Sequence, residues 1–409
     1  MKPFVSFLSI LIHVSCLSFF SFTQQAYYRI SGDIQDNDTH EPVPFASIGI
    51  KGKAIGTVSN IKGDFSFSVP LNCLNDTLFV SSIGYARFNL IIKGNSIEKI
   101  CLHRQSYSLK EVTVKPLWDN PRKIIKEALH RISDNGPDKP FLCSAYYRVL
   151  VKEDSLFAAK GEATLTINDS GEEIALIPGM PLHKEFRIDE LRLSKNNIIN
   201  PKIIHESDLN SLYHLNSLKI YKFISKHDIC SLDSVCYFDN ELVYSISCTI
   251  QGSSNSKIYI TVKDFAFIKV VRKYNGFSYP HNFKYPDTDS LFWSSNDSSV
   301  MMFSRINDKW YPKYYYIHHW RKFSRYEDKD FKPFLTSEDI SELLVTNVYP
   351  GKKINIPKKD KVDQFVQILR LKKDYHPEFW KNYNVILPDP FEIEVQIDFK
   401  KREEYLKSK

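Results

Sequence analysis

The densest run of side chains able to do chemistry is Tyr314-Tyr315-Tyr316-Ile317-His318-His319-Trp320, where rings that can stack on sugars sit beside two imidazoles that can bind a metal. Adjacent residues of a strand point to opposite faces, so His318 and His319 cannot reach one ion. The run therefore reads first as a strand with aromatic faces, in line with the β-propensity of tyrosine and tryptophan. Tyr314, Tyr316, His318 and Trp320 are its candidates for contact with a partner. Local catalytic signatures are missing. A zinc carboxypeptidase needs His-x-x-Glu with a distant third histidine, and a zincin needs His-Glu-x-x-His. Here His205-Glu206 runs on into Ser207-Asp208-Leu209, and His183 has Phe186 three residues later. No Gly-x-Ser-x-Gly elbow, phosphate loop or dinucleotide fingerprint occurs. No catalytic residue, cofactor or metal is assigned on this reading.

The chain has seven cysteines, and six remain when Cys16 is set aside with the leader described below. His227, Cys230, Cys236 and Cys248 resemble a zinc set only in composition, because paired zinc ligands usually sit about two to four residues apart and Cys230 and Cys236 do not. A disulfide or a buried free thiol fits better. Cys230 and Cys236, with five residues between them in a strand-rich stretch, are the disulfide candidate.

The elements that must position these groups begin after a leader. Lys2 precedes an apolar, hydroxyl-rich run from Phe4 to Phe22, the layout of a secretory signal peptide over residues 1–23. Serines and His13 dilute the run below what a stable membrane span of about 20 apolar residues needs. The mature chain is expected to start near Gln24 or Gln25, to be exported, and to reside in the periplasm or at the outer membrane. The net charge of +7 comes from 55 basic and 48 acidic residues interleaved along the whole chain, which reads as a solvated surface and not a nucleic-acid footprint. Lys352, Lys353, Lys358, Lys359 and Lys361 read as an exposed loop and helix start.

From Tyr27 to Val114, short period-two runs alternate with turn residues: Ile30 to Ile34, Ala46 to Ile50, Phe65 to Val69, Leu78 to Val80, Phe88 to Ile92, Ile100 to Leu102, and Val112 to Val114. Seven short strands at this spacing predict a small antiparallel sandwich over residues 26–115. Within it Ile30-Ser31-Gly32-Asp33-Ile34, Pro42-Val43-Pro44-Phe45-Ala46-Ser47-Ile48, Gly56-Thr57-Val58-Ser59-Asn60, Gly63-Asp64-Phe65 and Val80-Ser81-Ser82-Ile83-Gly84-Tyr85 occur in order. That series resembles the carboxypeptidase-D regulatory-like domain. The resemblance implies a transthyretin-type sandwich, an accessory module and not the peptidase, of the kind found in envelope proteins of Gram-negative bacteria and ahead of TonB-dependent receptors. Gly56 and Gly63 are expected at tight turns needing positive φ. Asp64 is expected to serve turn geometry before calcium.

Residues 116–138 read as a linker with one amphipathic helix, because Ile124, Ile125, Ala128, Leu129 and Ile132 recur at helical spacing behind Asn120-Pro121. Residues 139–409 read as a mainly antiparallel β domain with a few helices. Its strands include Ala163 to Ile167 and Leu242 to Ile250, with a hairpin turning at Lys263-Asp264. Val362, Phe365, Val366 and Leu369 predict a further helix, and Phe379-Trp380-Lys381-Asn382-Tyr383-Asn384 is a compact aromatic segment. The order Tyr146-Tyr147-Arg148, Leu242-Val243-Tyr244, Lys257-Ile258-Tyr259-Ile260, Lys309-Trp310-Tyr311 and Phe379-Trp380 resembles the C-terminal region that accompanies the regulatory-like domain in envelope proteins of this length. Tyr405-Leu406-Lys407-Ser408-Lys409 lacks the terminal aromatic of outer-membrane barrels, so no barrel is expected.

Together these features predict a mainly β, non-enzymatic envelope accessory protein that binds a protein or glycan partner. It is expected to be peripheral to the membrane at most and without nucleic acid. The alternative is a hydrolase of envelope or nutrient polymers with a non-standard site in the C-terminal domain.

Overall fold

The computed structural model describes residues 27–53, 55–94, 96–105, 119–171, 184–196, 209, 228–250, 254–278, 291–325, 333–363, 366–383 and 391–407. The leader and its cleavage point lie outside these residues. The chain is mainly β, as its patterning predicts.

The first unit is built from β1 (Tyr27–Asp36), β2 (Ser47–Ile50), β3 (Gly56–Val58), β4 (Asp64–Pro70), β5 (Thr77–Ser81), β6 (Phe88–Ile91) and β7 (Ser96–Leu102). One sheet runs β4-β1-β7, with β7 parallel to β1, and the other runs β3-β2-β5-β6. Burial alternates strictly along β4, and Phe65, Phe67 and Val69 meet Ile30, Ile48, Leu78, Val80 and Ile100 in a core of their own. One strand differs from the expected set: β3 is real, and Val112 to Val114 lies outside the described residues. The sequence pattern hides β3 because it spans three residues only. Gly63 has φ +84 and fits its turn, but Gly56 is required for a different reason. A Cβ there would lie 2.3 Å from the Ile48 carbonyl oxygen, so close strand approach excludes any side chain. Asp64 does serve the turn, accepting from the Asn60 amide at 3.1 Å while Asn60 Oδ1 takes the Lys62 and Asp64 N–H groups.

Helix α1 (Pro121–His130) follows. Asn120 Oδ1 accepts from the N–H groups of Arg122 and Lys123, Pro121 opens the first turn, and Ile124, Ile125, Ala128 and Leu129 are buried, all as the spacing predicts. A short α2 (Ile132–Asn135) completes the connection.

A ten-stranded antiparallel sheet dominates the rest: β8 (Phe141–Glu153), β9 (Leu156–Asp169), β10 (Lys184–Asn196), β11 (Ile229–Phe238), β12 (Glu241–Ile250), β13 (Ser254–Thr261), β14 (Phe267–Ser278), β15 (Leu291–Ile306), β16 (Lys309–Arg325) and β17 (Pro333–Pro350). Their order is β10-β9-β8-β17-β16-β15-β14-β13-β12-β11, so β17 closes back beside β8 and the edges are β10 and β11. The register aligns Leu232, Ile246, Ile258, Val270, Met301, Tyr315, Leu343, Tyr147, Ala163 and Leu191 in one row across all ten strands. This apolar row belongs to the largest core, which also takes the buried face of α1. Shifting any strand by one residue would turn its whole apolar set outward, so this row fixes the register.

Past β17 the chain is irregular. The predicted helix at Val362 to Leu369 is replaced by a bridge of Val362 to Phe186 and a single 3₁₀ turn, Ile368–Arg370. The apolar spacing there serves instead to bury Ile368 and Leu369 against the sheet, where Gly161 leaves room for them. Two helices end the described chain, α3 (Pro377–Asn382) and α4 (Glu392–Lys407). The sequence reading missed α4, whose buried residues Val395, Asp398, Phe399 and Arg402 are interspersed with exposed Ile393 and Ile397. Among the described residues, no helix is long and apolar enough to cross a membrane.

Candidate functional site

The residue next to each member of the apolar row points to the opposite face, and there the chemistry is concentrated. Arg192, Glu162, Arg148, Glu342 and Tyr316 form one row over β10, β9, β8, β17 and β16, continued by Val300, Val271, Lys257, Ser247 and Ser231. Side chains of Arg148 and Glu162 are each 1% exposed, so the alternating charges are buried. Each carboxylate is clasped twice. Glu342 accepts from Arg148 Nε at 2.8 Å and from the Tyr314 hydroxyl at 2.7 Å; Glu162 accepts from Arg192 Nε at 2.8 Å and from the Tyr146 hydroxyl at 2.7 Å. Burial first, and the neighbouring glutamates next, hold the Tyr146 and Tyr314 hydroxyls well above the ordinary phenol range. The tyrosines stay protonated and act as donors.

The aromatic segment predicted near the C-terminus covers this row. Trp380 of α3 lies under the Arg192 guanidinium, 4.6 Å from its ring centre, and the Tyr383 ring stacks on Tyr146 at 6.1 Å. Helix α4 docks beside it: Arg402 pairs with buried Glu153, and Asp398 accepts the Phe157 N–H at 3.2 Å. On the other side the first unit meets the same face through Phe45, whose ring lies 5.8 Å from Tyr314 and 5.5 Å from Tyr316. Lys269 points at that Phe45 ring from 5.6 Å, and burial pushes its ammonium down to about 8.

The sequence-predicted residues are distributed differently from expectation. Tyr314 is wholly buried and Tyr316 nearly so, in a strand between β15 and β17, so this run is a core element and not a docking edge. Of the four candidates, only His318 and Trp320 are partly exposed. The two histidines do point to opposite faces, His318 to Glu338 at 3.3 Å and His319 to Asp297 at 3.1 Å. Cys230 is bonded to Cys248, and Cys236 is free. Register explains this correction, since Cys230 and Cys248 face each other across β11 and β12, whereas Cys236 lies further along the same strand as Cys230. Burial pushes the Cys236 thiol up to about 11.

Arg148, Glu162, Arg192 and Glu342 were not singled out from sequence. The available signal was a charge between apolar strand residues, as in Tyr146-Tyr147-Arg148-Val149-Leu150 and Leu191-Arg192-Leu193.

Two features lie outside the clasped charges. At the β10 edge a cleft of about 630 Å³ opens beside Arg192, between β10 and Leu371 to Tyr375. On the apolar-row face, Asp297, His319 and Asp339 share a row, with Ser337 and Ser341 beside Asp339. The hydroxyls of Ser337 and Ser341 are buried and have no hydrogen-bond partner. Neither hydroxyl bonds His319, so serine and histidine are not engaged with each other. Among the described residues no group of histidine, cysteine and acidic side chains could hold a metal.

The comparisons with known proteins agree with the first unit. Residues 30–114 match the family model of the CarboxypepD_reg-like domain, so the sandwich is a domain of that kind. No curated protein matches the chain. Among solved structures, the LolA superfamily protein NE2245 from Nitrosomonas europaea is 13% identical and aligns over 60% of this chain and 99% of that one at TM-score 0.23. A protein of unknown function from Bacteroides fragilis is 10% identical, over 79% and 98%, at TM-score 0.16. MucB, solved in complex with MucA(peri), is 8% identical over 57% and 100% at TM-score 0.19. At such scores the likeness carries no function to this chain.

Proposed function

We propose that the protein is an exported, envelope-associated accessory protein that works by binding a protein or glycan partner and not by catalysis. The observation that carries this reading is the division of labour on the large sheet. Two buried carboxylates, Glu162 and Glu342, have both oxygens engaged by arginine and tyrosine donors, while the open cleft beside Arg192 offers apolar surface and cations. A general acid or base must come within reach of the proton it moves on a substrate. Both carboxylates are buried, and neither lines the cleft. The CarboxypepD_reg-like domain supports the same reading, because modules of the kind it resembles are accessory.

A second reading, a hydrolase, draws on the unpartnered Ser337 and Ser341 hydroxyls near the His319–Asp297 pair. Labelling with a fluorophosphonate probe separates the two. The binding reading expects no labelled serine and no turnover of peptide, ester or glycan substrates by purified protein. Labelling of Ser337 or Ser341, with turnover lost in His319→Ala at unchanged melting temperature, would replace it by the hydrolase.

A further inference from the structure

An edge strand presents a row of unpaired N–H and C=O groups, and proteins usually guard it. The β11 edge is met by the sandwich, where the Gly84 N–H donates to the Tyr237 carbonyl at 3.0 Å. The first half of β10 is guarded too: the Val362 N–H donates to Phe186 O at 2.9 Å, and Lys373 Nζ donates to Ile188 O at 2.5 Å and Asp189 O at 2.7 Å. From Leu191 to Ser194 no such guard is present among the described residues. Irregularities of register between Ile188 and Glu190 and between Leu193 and Lys195 bracket this open stretch.

The cleft lies along that stretch, and its volume of about 630 Å³ falls within the usual range of ligand sites, roughly 300–1,000 Å³. Its apolar lining is Leu191, Leu193, Leu371 and Tyr375, of which Leu193 and Tyr375 are 36% and 54% exposed. Its charged lining is Arg192, Lys372 and Lys373, with no acid among them. Arg192 is answered by Glu162, but the Lys373 ammonium bonds only carbonyl oxygens, and Lys372 is exposed with no carboxylate partner among the described residues. The site therefore combines a strand edge unguarded among the described residues, aliphatic surface and positive charge.

We infer that this edge binds an extended peptide segment with alternating acidic and aliphatic residues, added as a strand to β10. The inference rests on the binding reading above and names its surface. Roughly four residues at about 3.3 Å each would span the open stretch. Their backbone would pair with β10, aliphatic side chains would meet Leu193 and Leu371, and carboxylates would reach Lys372 and Lys373.

The test uses the full chain and a fluorescein-labelled hexapeptide alternating Glu and Val, followed by fluorescence anisotropy. Saturable binding is expected, weakened about tenfold or more by Lys372→Glu or Leu193→Asp, both at exposed positions, and by raised salt. Methylating alternate backbone nitrogens of the peptide should abolish binding, because strand addition needs those donors. Equal binding of a Lys-Val peptide, or of the methylated one, would overturn the inference. So would binding to phosphatidylglycerol vesicles with none to the peptide, which would mark the cleft as a lipid-facing surface. If either variant melts early, Lys372→Ala serves as the second readout. A specific envelope partner captured equally by wild type and both variants would sink this surface and leave the binding reading standing, whereas serine labelling and turnover would sink the binding reading itself.

Discussion

Two rows of side chains cross the ten-stranded sheet one residue apart in every strand, and they answer burial in different ways. The row through Val270, Met301, Leu343 and Tyr147 is apolar from edge to edge and gains from leaving water. The row through Arg192, Glu162, Arg148 and Glu342 must replace lost hydration with partners, and it does so by alternating sign strand by strand and adding a tyrosine donor to each carboxylate. An apolar row tolerates many neighbours of suitable size. A charged row tolerates only its own partners, so it ties β8, β9, β10 and β17 into one order where the apolar row leaves more freedom.

The sharpest way to break the comparison is to remove one partner. Arg148→Met leaves Glu342 buried beside a neutral side chain and is expected to cost about 3–5 kcal/mol. The double substitution Arg148→Met with Glu342→Leu should recover most of that loss, because a matched apolar pair is often neutral or better. Urea denaturation of the two single variants and the double measures the coupling. A double variant as unstable as Arg148→Met would mean that the pair does more than neutralise itself.

On the apolar row, Leu343→Ala is expected to cost about 2–5 kcal/mol through lost transfer and a residual cavity. No single opposite substitution should rescue it, since Tyr147 and Tyr315 flank Leu343 in the row and neither is its sole partner. The same denaturation experiment checks this, and strong rescue by one neighbour would erase the contrast between the rows.

How much of this was legible in sequence follows from the same contrast. Period-two apolarity exposes the strands of the apolar row, and the Asn120-Pro121 cap exposes α1. The charged row was hidden because register decides it: nothing in Arg148 alone says that Glu162 and Glu342 lie on either side, 14 and 194 residues away in the chain. Register also decided the disulfide, setting Cys248 and not Cys236 opposite Cys230. Tyr314 and Tyr316 misled in the opposite direction. Aromatic residues suit an exposed docking strand and a central buried one equally, and only the pairing of β16 with both β15 and β17 places it inside the sheet.

A third test concerns Lys269, a partly buried cation on the charged face with no carboxylate partner among the described residues. Burial pushes its ammonium down to about 8, against about 10.4 in an unfolded chain. Between these values the unfolded chain keeps a proton that the folded one sheds, so stability should rise with pH from about 8 to about 10. Below about pH 8, the folded protein carries the full cost of a desolvated charge. Lys269→Met is accordingly expected to raise stability at pH 7 by about 1–3 kcal/mol and to flatten that rise. Melting temperatures of both proteins across pH 7 to 10 check the sign. A steeper rise in the variant would show that another group governs the window.

The smallest effect is expected at the far end of the charged row. Lys257 shares the row with Arg148 and pairs with Asp233 at 2.7 Å, but its side chain is 38% exposed where that of Arg148 is 1% exposed. Water already solvates both members of the outer pair, so their attraction is screened and each surrenders little hydration on pairing. Lys257→Ala should therefore cost less than about 1 kcal/mol, and that cost should shrink further in high salt. The loss on Arg148→Met should stay nearly constant with salt, because the mobile ions cannot enter its surroundings. Denaturation of both variants at low and high ionic strength gives the answer. Equal losses with equal salt dependence would mean that burial does not set the worth of a charge along this row, and the distinction between its two ends would fall.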